Sequence, residues 1–74
     1  MDLDHHPELD RIDLRILRVL QQDARITHQK LAEQVHLSAS SVHERVKRLQ
    51  REGYILGYRA QLNPDKLGAA LLVF

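Results

Sequence analysis

Residues 28–48 read HQKLAEQVHLSASSVHERVKR, and this stretch holds two short amphipathic segments joined by a three-residue turn. The small Ala32 lies four residues before the turn, and Val42 follows ten residues after Ala32. A small residue lets the second helix pack closely across the first, and the turn fixes their crossing. The spacing therefore predicts a helix-turn-helix.

Three predicted helix starts share one arrangement, in which an apolar residue precedes a capping side chain and a second apolar residue occupies the fourth helical position. The sets are Leu9-Asp10 with Leu14, Ile26-Thr27 with Leu31, and Leu37-Ser38 with Val42. With Gly53 as a stop signal, the pattern predicts helices over about 10–23, 27–35 and 38–52. We expect a mainly α, three-helix, winged-helix-like domain over residues 9–53, preceded by a flexible arm at 1–8.

The sequence changes character after Gly53. Residues 54–62 are rich in β-formers and loosely alternating, which predicts a linking β-strand over 54–63. A lone strand is not stable in water, so it needs a second strand of its own or a strand from another subunit. Asn63-Pro64-Asp65 predicts a turn, and the apolar end at 69–74 is typical of the first strand of a further, truncated domain.

Composition limits what the chain can do. It has 74 residues and no cysteine, which excludes a disulfide framework and thiolate metal sites and fits a cytoplasmic protein. No apolar run approaches membrane-spanning length. We find no nucleophile–base pattern, metal-ligand spacing or glycine-rich phosphate loop, and His5-His6 fall in the predicted arm. We therefore expect no enzyme activity, catalytic residue, metal, cofactor or membrane partner for these residues.

Charge is distributed unevenly along the chain. Residues 1–23 carry six acidic and three basic side chains, while residues 24–59 carry seven basic and three acidic ones. The net values are −3 and +4, so positive charge concentrates around the predicted helix-turn-helix. This location favours binding to double-stranded DNA, although a mixed, solvated surface would give the same totals.

A helical wheel of the third helix centred on Val42 places Val46 and Leu49 on the core face and polar residues opposite. The N-terminal part of such a helix usually enters the major groove. We predict base contacts from Ser40, Ser41, His43, Glu44 and Lys47, and phosphate contacts from Arg25, Thr27, His28, Gln29, Ser38, Arg48 and Arg51. The alternative is a solvated face in which Glu44 pairs with Arg48; Arg45, near the core, is expected first in a structural ion pair.

His36 occupies the turn, where the backbone usually becomes left-handed and glycine is favoured. Histidine tolerates that region better than bulky residues do. We hypothesise that His36 has a positive φ and carries about 1 kcal/mol of strain.

The chain resembles the Lrp/AsnC (feast/famine) family of prokaryotic transcription regulators from Leu9 to Phe74. The resemblance runs through Leu9-Asp10-Arg11-Ile12-Asp13, Asp23-Ala24-Arg25-Ile26-Thr27 and Arg45-Val46, and is most specific in Gly57-Tyr58-Arg59-Ala60-Gln61-Leu62-Asn63-Pro64. His36 replaces the usual glycine, and the Ser40-Ser41-Val42-His43 segment also departs from the family, so the operator cannot be transferred.

The resemblance implies a DNA-binding domain that controls genes of amino-acid metabolism. It also implies a C-terminal α/β domain, here only beginning within 64–74, that binds an amino-acid effector. A homodimer is implied through the first helix, including Leu14 and Leu17, and through strand residues Ile55, Gly57, Tyr58, Ala60 and Leu62. Two alternatives stay open: the N-terminal domain of an enzyme similar to sirohaem decarboxylases, and a winged-helix protein-interaction module.

Overall fold

The computed structural model describes residues 8–69, which contain three helices and a final helical turn. The elements are α1 (Arg11–Gln22), α2 (His28–Val35), α3 (Ala39–Arg51) and the short α4 (Pro64–Leu67). The three predicted helices are confirmed, with each end within one residue of its predicted position. Most of the predicted arm, at 1–7, and the apolar run at 70–74 lie outside the described residues.

Each of the three long helices begins directly after the predicted capping residue. The side chains of Asp10, Thr27 and Ser38 accept hydrogen bonds from the backbone N–H groups of Asp13, Lys30 and Ser41 respectively. Such a cap contributes about 1 kcal/mol to helix stability, because it satisfies a donor that has no partner within the helix. The apolar residues that precede the caps pack on the core, as the predicted arrangement requires.

The core is small and aliphatic. One face of each of the three long helices forms it, and α2 packs most extensively on α3. Val42, Val46 and Leu49 supply the inner face of α3, as the helical wheel predicts. The buried apolar residues are Leu9, Ile16, Leu20, Leu31, Ala32, Val35, Val42, Val46 and Leu49. Ala32 meets the prediction of a small residue where α2 approaches α3.

Left-handed residues end α2 and α3. His36 has φ 60° and ψ 42° and Gly53 has φ 85°, which confirms the positive φ predicted for His36. The N–H of Leu37 donates to the Ala32 carbonyl at 3.0 Å, and the N–H of Tyr54 donates to the Leu49 carbonyl at 2.9 Å. These bonds close Schellman-type caps, which fix the direction in which the chain leaves each helix.

Beyond Tyr54 the chain leaves the helical core. Residues 56–63 are exposed and form no strand with any other part of the chain between residues 8 and 69. The linking strand and its pairing therefore stay predictions. The turn predicted at Asn63-Pro64-Asp65 is the start of α4, where the Asn63 side chain accepts from the N–H groups of Asp65 and Lys66.

Candidate nucleic-acid interface

Helix α3 has one face in the core and the opposite face in solvent. All five residues predicted to contact bases are exposed, namely Ser40, Ser41, His43, Glu44 and Lys47. Arg51, a predicted phosphate ligand at the end of α3, is also exposed. The structure therefore brings the polar residues of α3 together on the accessible side of the helix.

Three serine hydroxyls cluster where α3 begins. The Ser38 hydroxyl donates to Ser41 Oγ at 2.9 Å, and the oxygens of Ser38 and Ser40 lie 3.2 Å apart. Because Ser38 has only one hydroxyl hydrogen, Ser40 must be the donor in the second contact. Ser41 therefore keeps its own hydroxyl hydrogen available to a ligand, whereas Ser40 offers acceptor lone pairs.

The start of α2 lies beside the exposed face of α3. Thr27 and Gln29 are exposed, as is Arg25 just before them. Thr27 Oγ1 accepts from the N–H of Lys30 at 3.1 Å, which leaves the N–H groups of the first helical residues pointing out of the helix. Such a helix start attracts anions, and the phosphate role of these residues stays a prediction.

His28, at the start of α2, contacts His43 on α3. Their Nδ1 atoms lie 3.2 Å apart, and their ring centroids are separated by 5.1 Å with the ring planes inclined at 52°. The sequence predicts one as a phosphate ligand and the other as a base reader, so their direct contact is a finding of the structure.

A buried carboxylate joins α1 to α3. Asp13 is only 1% exposed and receives Arg45 Nη1 at 3.0 Å and Arg48 Nη2 through a further hydrogen bond. Asp13 also closes a capping box with Asp10, whose Oδ1 accepts the Asp13 N–H at 2.7 Å. In return, the N–H of Asp10 donates to Asp13 Oδ2 at 3.3 Å. Two guanidinium groups and this backbone donor therefore offset the cost of burying the Asp13 charge.

Arg45 behaves as its position near the core predicts. Its Nη1 donates to Asp10 Oδ2 at 2.6 Å as well as to Asp13. The hydrogen bond from Arg45, aided by the one from the Asp13 N–H, lowers the pKa of Asp10 below its ordinary value of 3.8. The same bond with Asp10 raises the pKa of Arg45.

Arg48 differs from the other predicted phosphate ligands, because it is half-buried and already paired. Besides Asp13, it faces Glu52, with Arg48 Nε 3.7 Å from Glu52 Oε2. The ion pair that the sequence allows, between Glu44 and Arg48, is therefore replaced by pairs with two other carboxylates. Its role at DNA stays a prediction, and Arg51 is the more accessible cation at this end of the helix.

One further contact ties the residues flanking the helices together. The Tyr54 hydroxyl donates to Glu8 Oε1, and this hydrogen bond raises the pKa of Tyr54 to about 12. Residues 8 and 54 precede α1 and follow α3, so the bond brings the two ends of the three-helix unit together.

Sequence reasoning missed the burial of Asp13 and the contact between the two histidines. Asp13 left a signal, because Asp10-x-x-Asp13 matches a capping box and Arg45 projects near the core face. The histidine pair left none, since the two residues lie fifteen positions apart on different helices.

Two other kinds of site are missing from the part of the chain that the structure describes. Within 8–69, no three histidine, cysteine or acidic side chains are grouped in a way that could hold a metal ion. Across that same range, every helix is too short or too polar to cross a membrane.

Comparison with known proteins agrees with this geometry. A family model described as winged helix-turn-helix DNA-binding matches residues 9–55. The leucine-responsive regulatory protein of Escherichia coli K12 is 54% identical over 67 residues, a match that covers 90% of this chain and 41% of the relative. The chain thus spans about two fifths of the length of this curated relative.

Solved structures of other proteins also match this chain. The Mycobacterium tuberculosis leucine response regulatory protein LrpA superposes with a TM-score of 0.75 and 42% identity, covering 84% of this chain and 42% of the neighbour. An AsnC family transcriptional regulator from Agrobacterium tumefaciens gives a TM-score of 0.75 at 36% identity, covering 80% and 39% respectively.

The fold and the exposed face of α3 define a winged helix-turn-helix DNA-binding domain. Within that class, the chain belongs to the Lrp/AsnC family of transcription regulators. These relatives are all named as regulators, which favours that interpretation over the decarboxylase-like and protein-interaction alternatives.

Proposed function

We propose that this chain reads a specific DNA site for a regulator of amino-acid metabolism genes, through the exposed face of α3. The observation that carries the proposal is that all five candidate base-reading side chains lie on the solvent side of a helix whose other side is fixed in the core. Such a helix can enter a major groove without any change in the fold.

The chemistry of that face suits base edges. Lys47 can donate to the acceptors of guanine, and Glu44 can accept from the amine of cytosine. Ser41 and His43 can each donate or accept, which widens the range of bases they suit. A face with both charge signs discriminates between sequences, because a misplaced base leaves a charged group unpaired.

Phosphate contacts would fix the helix in the groove. The exposed Arg51 at the end of α3 and the start of α2 with Thr27, Gln29 and Arg25 flank the base-reading residues. Arg48 contributes less to DNA affinity in this scheme, because its guanidinium is already held by Asp13 and Glu52.

The active form in this proposal is a homodimer in the cytoplasm. Leu56 is 96% exposed and Leu62 is 59% exposed, a poor arrangement for a chain alone in water but a suitable one for a strand that pairs with a second copy. The relatives are named leucine-responsive or leucine response regulators. By extension we propose that an amino-acid effector acts through a further domain, and that no enzymatic step belongs to this one.

DNA affinity should depend steeply on salt concentration. Binding of phosphates releases counterions, so the logarithm of the association constant should fall by roughly 0.9 per phosphate contact for each unit of log salt. Fluorescence anisotropy with a site selected from random DNA measures the slope. We expect Arg51→Ala to reduce this slope by the equivalent of about one phosphate contact. Lys47→Ala should reduce the slope in the same way and should also relax the preference at one base pair.

Lys66→Ala is the matched control, because it removes the same charge from the exposed α4, away from α3. It should leave both slope and base preference unchanged. An affinity that is equal at low and high salt would show that the phosphate assignments are wrong.

A further inference from the structure

The contact between His28 and His43 restricts the state of both rings. With their Nδ1 atoms 3.2 Å apart, one ring must donate an N–H and the other must accept on a lone pair. A neutral imidazole carries a single hydrogen, so the role of Nδ1 sets the role of Nε2 in the same ring. The hydrogen bond therefore couples the tautomer of each histidine to that of the other.

This coupling reaches the exposed edge of His43. If Nδ1 of His43 accepts, its Nε2 is a donor, which suits guanine N7 or O6, adenine N7 or thymine O4. If Nδ1 donates, Nε2 is an acceptor, which suits the amines of cytosine or adenine. A His43 ring without a partner could rotate and adopt either form, and would discriminate poorly.

The pair lies beside the exposed face of α3. His28 is half-buried whereas His43 is exposed, so His43 is the ring better able to reach a base. Both histidines line a shallow cavity of about 260 Å³ together with Lys47, Gln50 and Tyr58. Lys47, a candidate base reader one turn along α3, thus borders the same depression as the pair.

We propose that His28 is a positioning residue for base recognition, which holds the His43 ring in one orientation and couples its tautomer to that of His28, and so sets how His43 reads a base. This inference rests on the proposed function, since it assumes that α3 enters the major groove. It changes the role predicted for His28 from that of a phosphate ligand to that of a determinant of sequence preference.

The test compares affinities for the site that the unaltered chain selects from random DNA and for every single base-pair variant of that site. His43→Ala identifies the base pair read by His43. His28→Ala should lower discrimination at that same base pair by roughly tenfold and leave the other positions unchanged. The double variant should discriminate no worse than His43→Ala alone, because the two residues act as a unit.

Two further variants make the outcome decisive. His28→Asn keeps a polar group near the position of Nδ1 and should restore most of the discrimination. Gln29→Ala alters the neighbouring predicted phosphate ligand, and should weaken all sequences equally. Thermal melts of each variant separate loss of binding from loss of folding.

Specific outcomes would overturn the proposal. If His28→Ala weakened every sequence by the same factor, His28 would be a phosphate ligand only. If it changed no affinity, the contact between the rings would have no role in recognition. If the unaltered chain itself preferred no DNA sequence, the proposed function would fail first, and that result is visible before any variant is made.

Discussion

His36 adopts a conformation that its side chain disfavours. A non-glycine residue at φ 60° and ψ 42° brings its Cβ close to the following carbonyl oxygen, at a cost of about 1 kcal/mol or more. The Schellman-type cap between α2 and α3 requires this geometry, because the N–H of Leu37 must return to the Ala32 carbonyl. The strain is therefore retained to preserve the angle at which α3 leaves the turn.

We expect His36→Gly to raise the free energy of unfolding by about 1 kcal/mol, since glycine adopts a positive φ without steric cost. Urea denaturation at neutral pH measures the change. His36→Ala is the control, because it removes the imidazole but keeps the Cβ, and should bring no gain. A less stable His36→Gly variant would mean that the imidazole makes a favourable contribution larger than the strain.

Single residues differ in how far the sequence predicts their surroundings. The positive φ of His36 and the ion pair of Arg45 could be predicted, because both follow from position on a local helix pattern. For Asp13 the sequence shows only the capping-box spacing, because its burial also depends on two arginines that reach it from a helix more than thirty residues away. Local periodicity carries no information about such distant partners.

The helices are the part of the fold that the sequence predicts most closely. Caps at Asp10, Thr27 and Ser38 and the left-handed stop at Gly53 depend only on residues within one turn, so the helix bounds could be predicted closely. The inner face of α3 followed from its 3.6-residue period for the same reason. The angle between helices is set by packing and by the ion pairs of Asp10 and Asp13, which no single helix specifies.

The link between α1 and α3 should depend on pH. The pKa of Asp10 is lowered in the folded chain, so its contribution to stability is present above the unfolded value and is lost as pH falls through the folded one. Asp10→Asn keeps a good N-cap but replaces the carboxylate oxygen that accepts from Arg45 with an uncharged NH2 group, which cannot accept. At neutral pH it should therefore reduce stability by less than about 1 kcal/mol, because Asp10 is half exposed.

The difference in free energy of unfolding between Asp10→Asn and the unaltered chain should shrink well below pH 3.8. There the unaltered carboxyl is protonated and therefore uncharged, like the asparagine side chain. Paired urea denaturation curves at neutral and acidic pH measure it. Asp65→Asn, an equal change of charge in the exposed α4, corrects for net charge. A difference that persisted unchanged in acid would show that the Arg45–Asp10 pair does not stabilise the fold.

Residues 55–63 are the part of the molecule whose structure the sequence predicts least well. Their alternation and β-formers predict a strand, yet the segment forms no regular element and is largely exposed, with no strand to pair with among residues 8–69. Strand formation requires hydrogen-bond partners, and these can belong to another molecule. A sequence pattern within one chain predicts that such a segment tends to form a strand, but it does not predict which strand it pairs with.

If 54–63 pairs with its counterpart, the dimer presents two α3 helices about one DNA turn (~34 Å) apart. Proline within the strand then tests the pairing, because it removes a backbone N–H donor. Ala60→Pro and Gln61→Pro alter adjacent, exposed positions, whose N–H groups point to opposite edges of a strand.

The proline variant at the position whose N–H faces the partner strand should lose the dimer in sedimentation equilibrium. It should also bind a DNA with two half-sites more weakly. Its affinity for a single half-site should not change, because α3 is untouched. Two prolines that both left dimer and two-site affinity intact would contradict strand pairing.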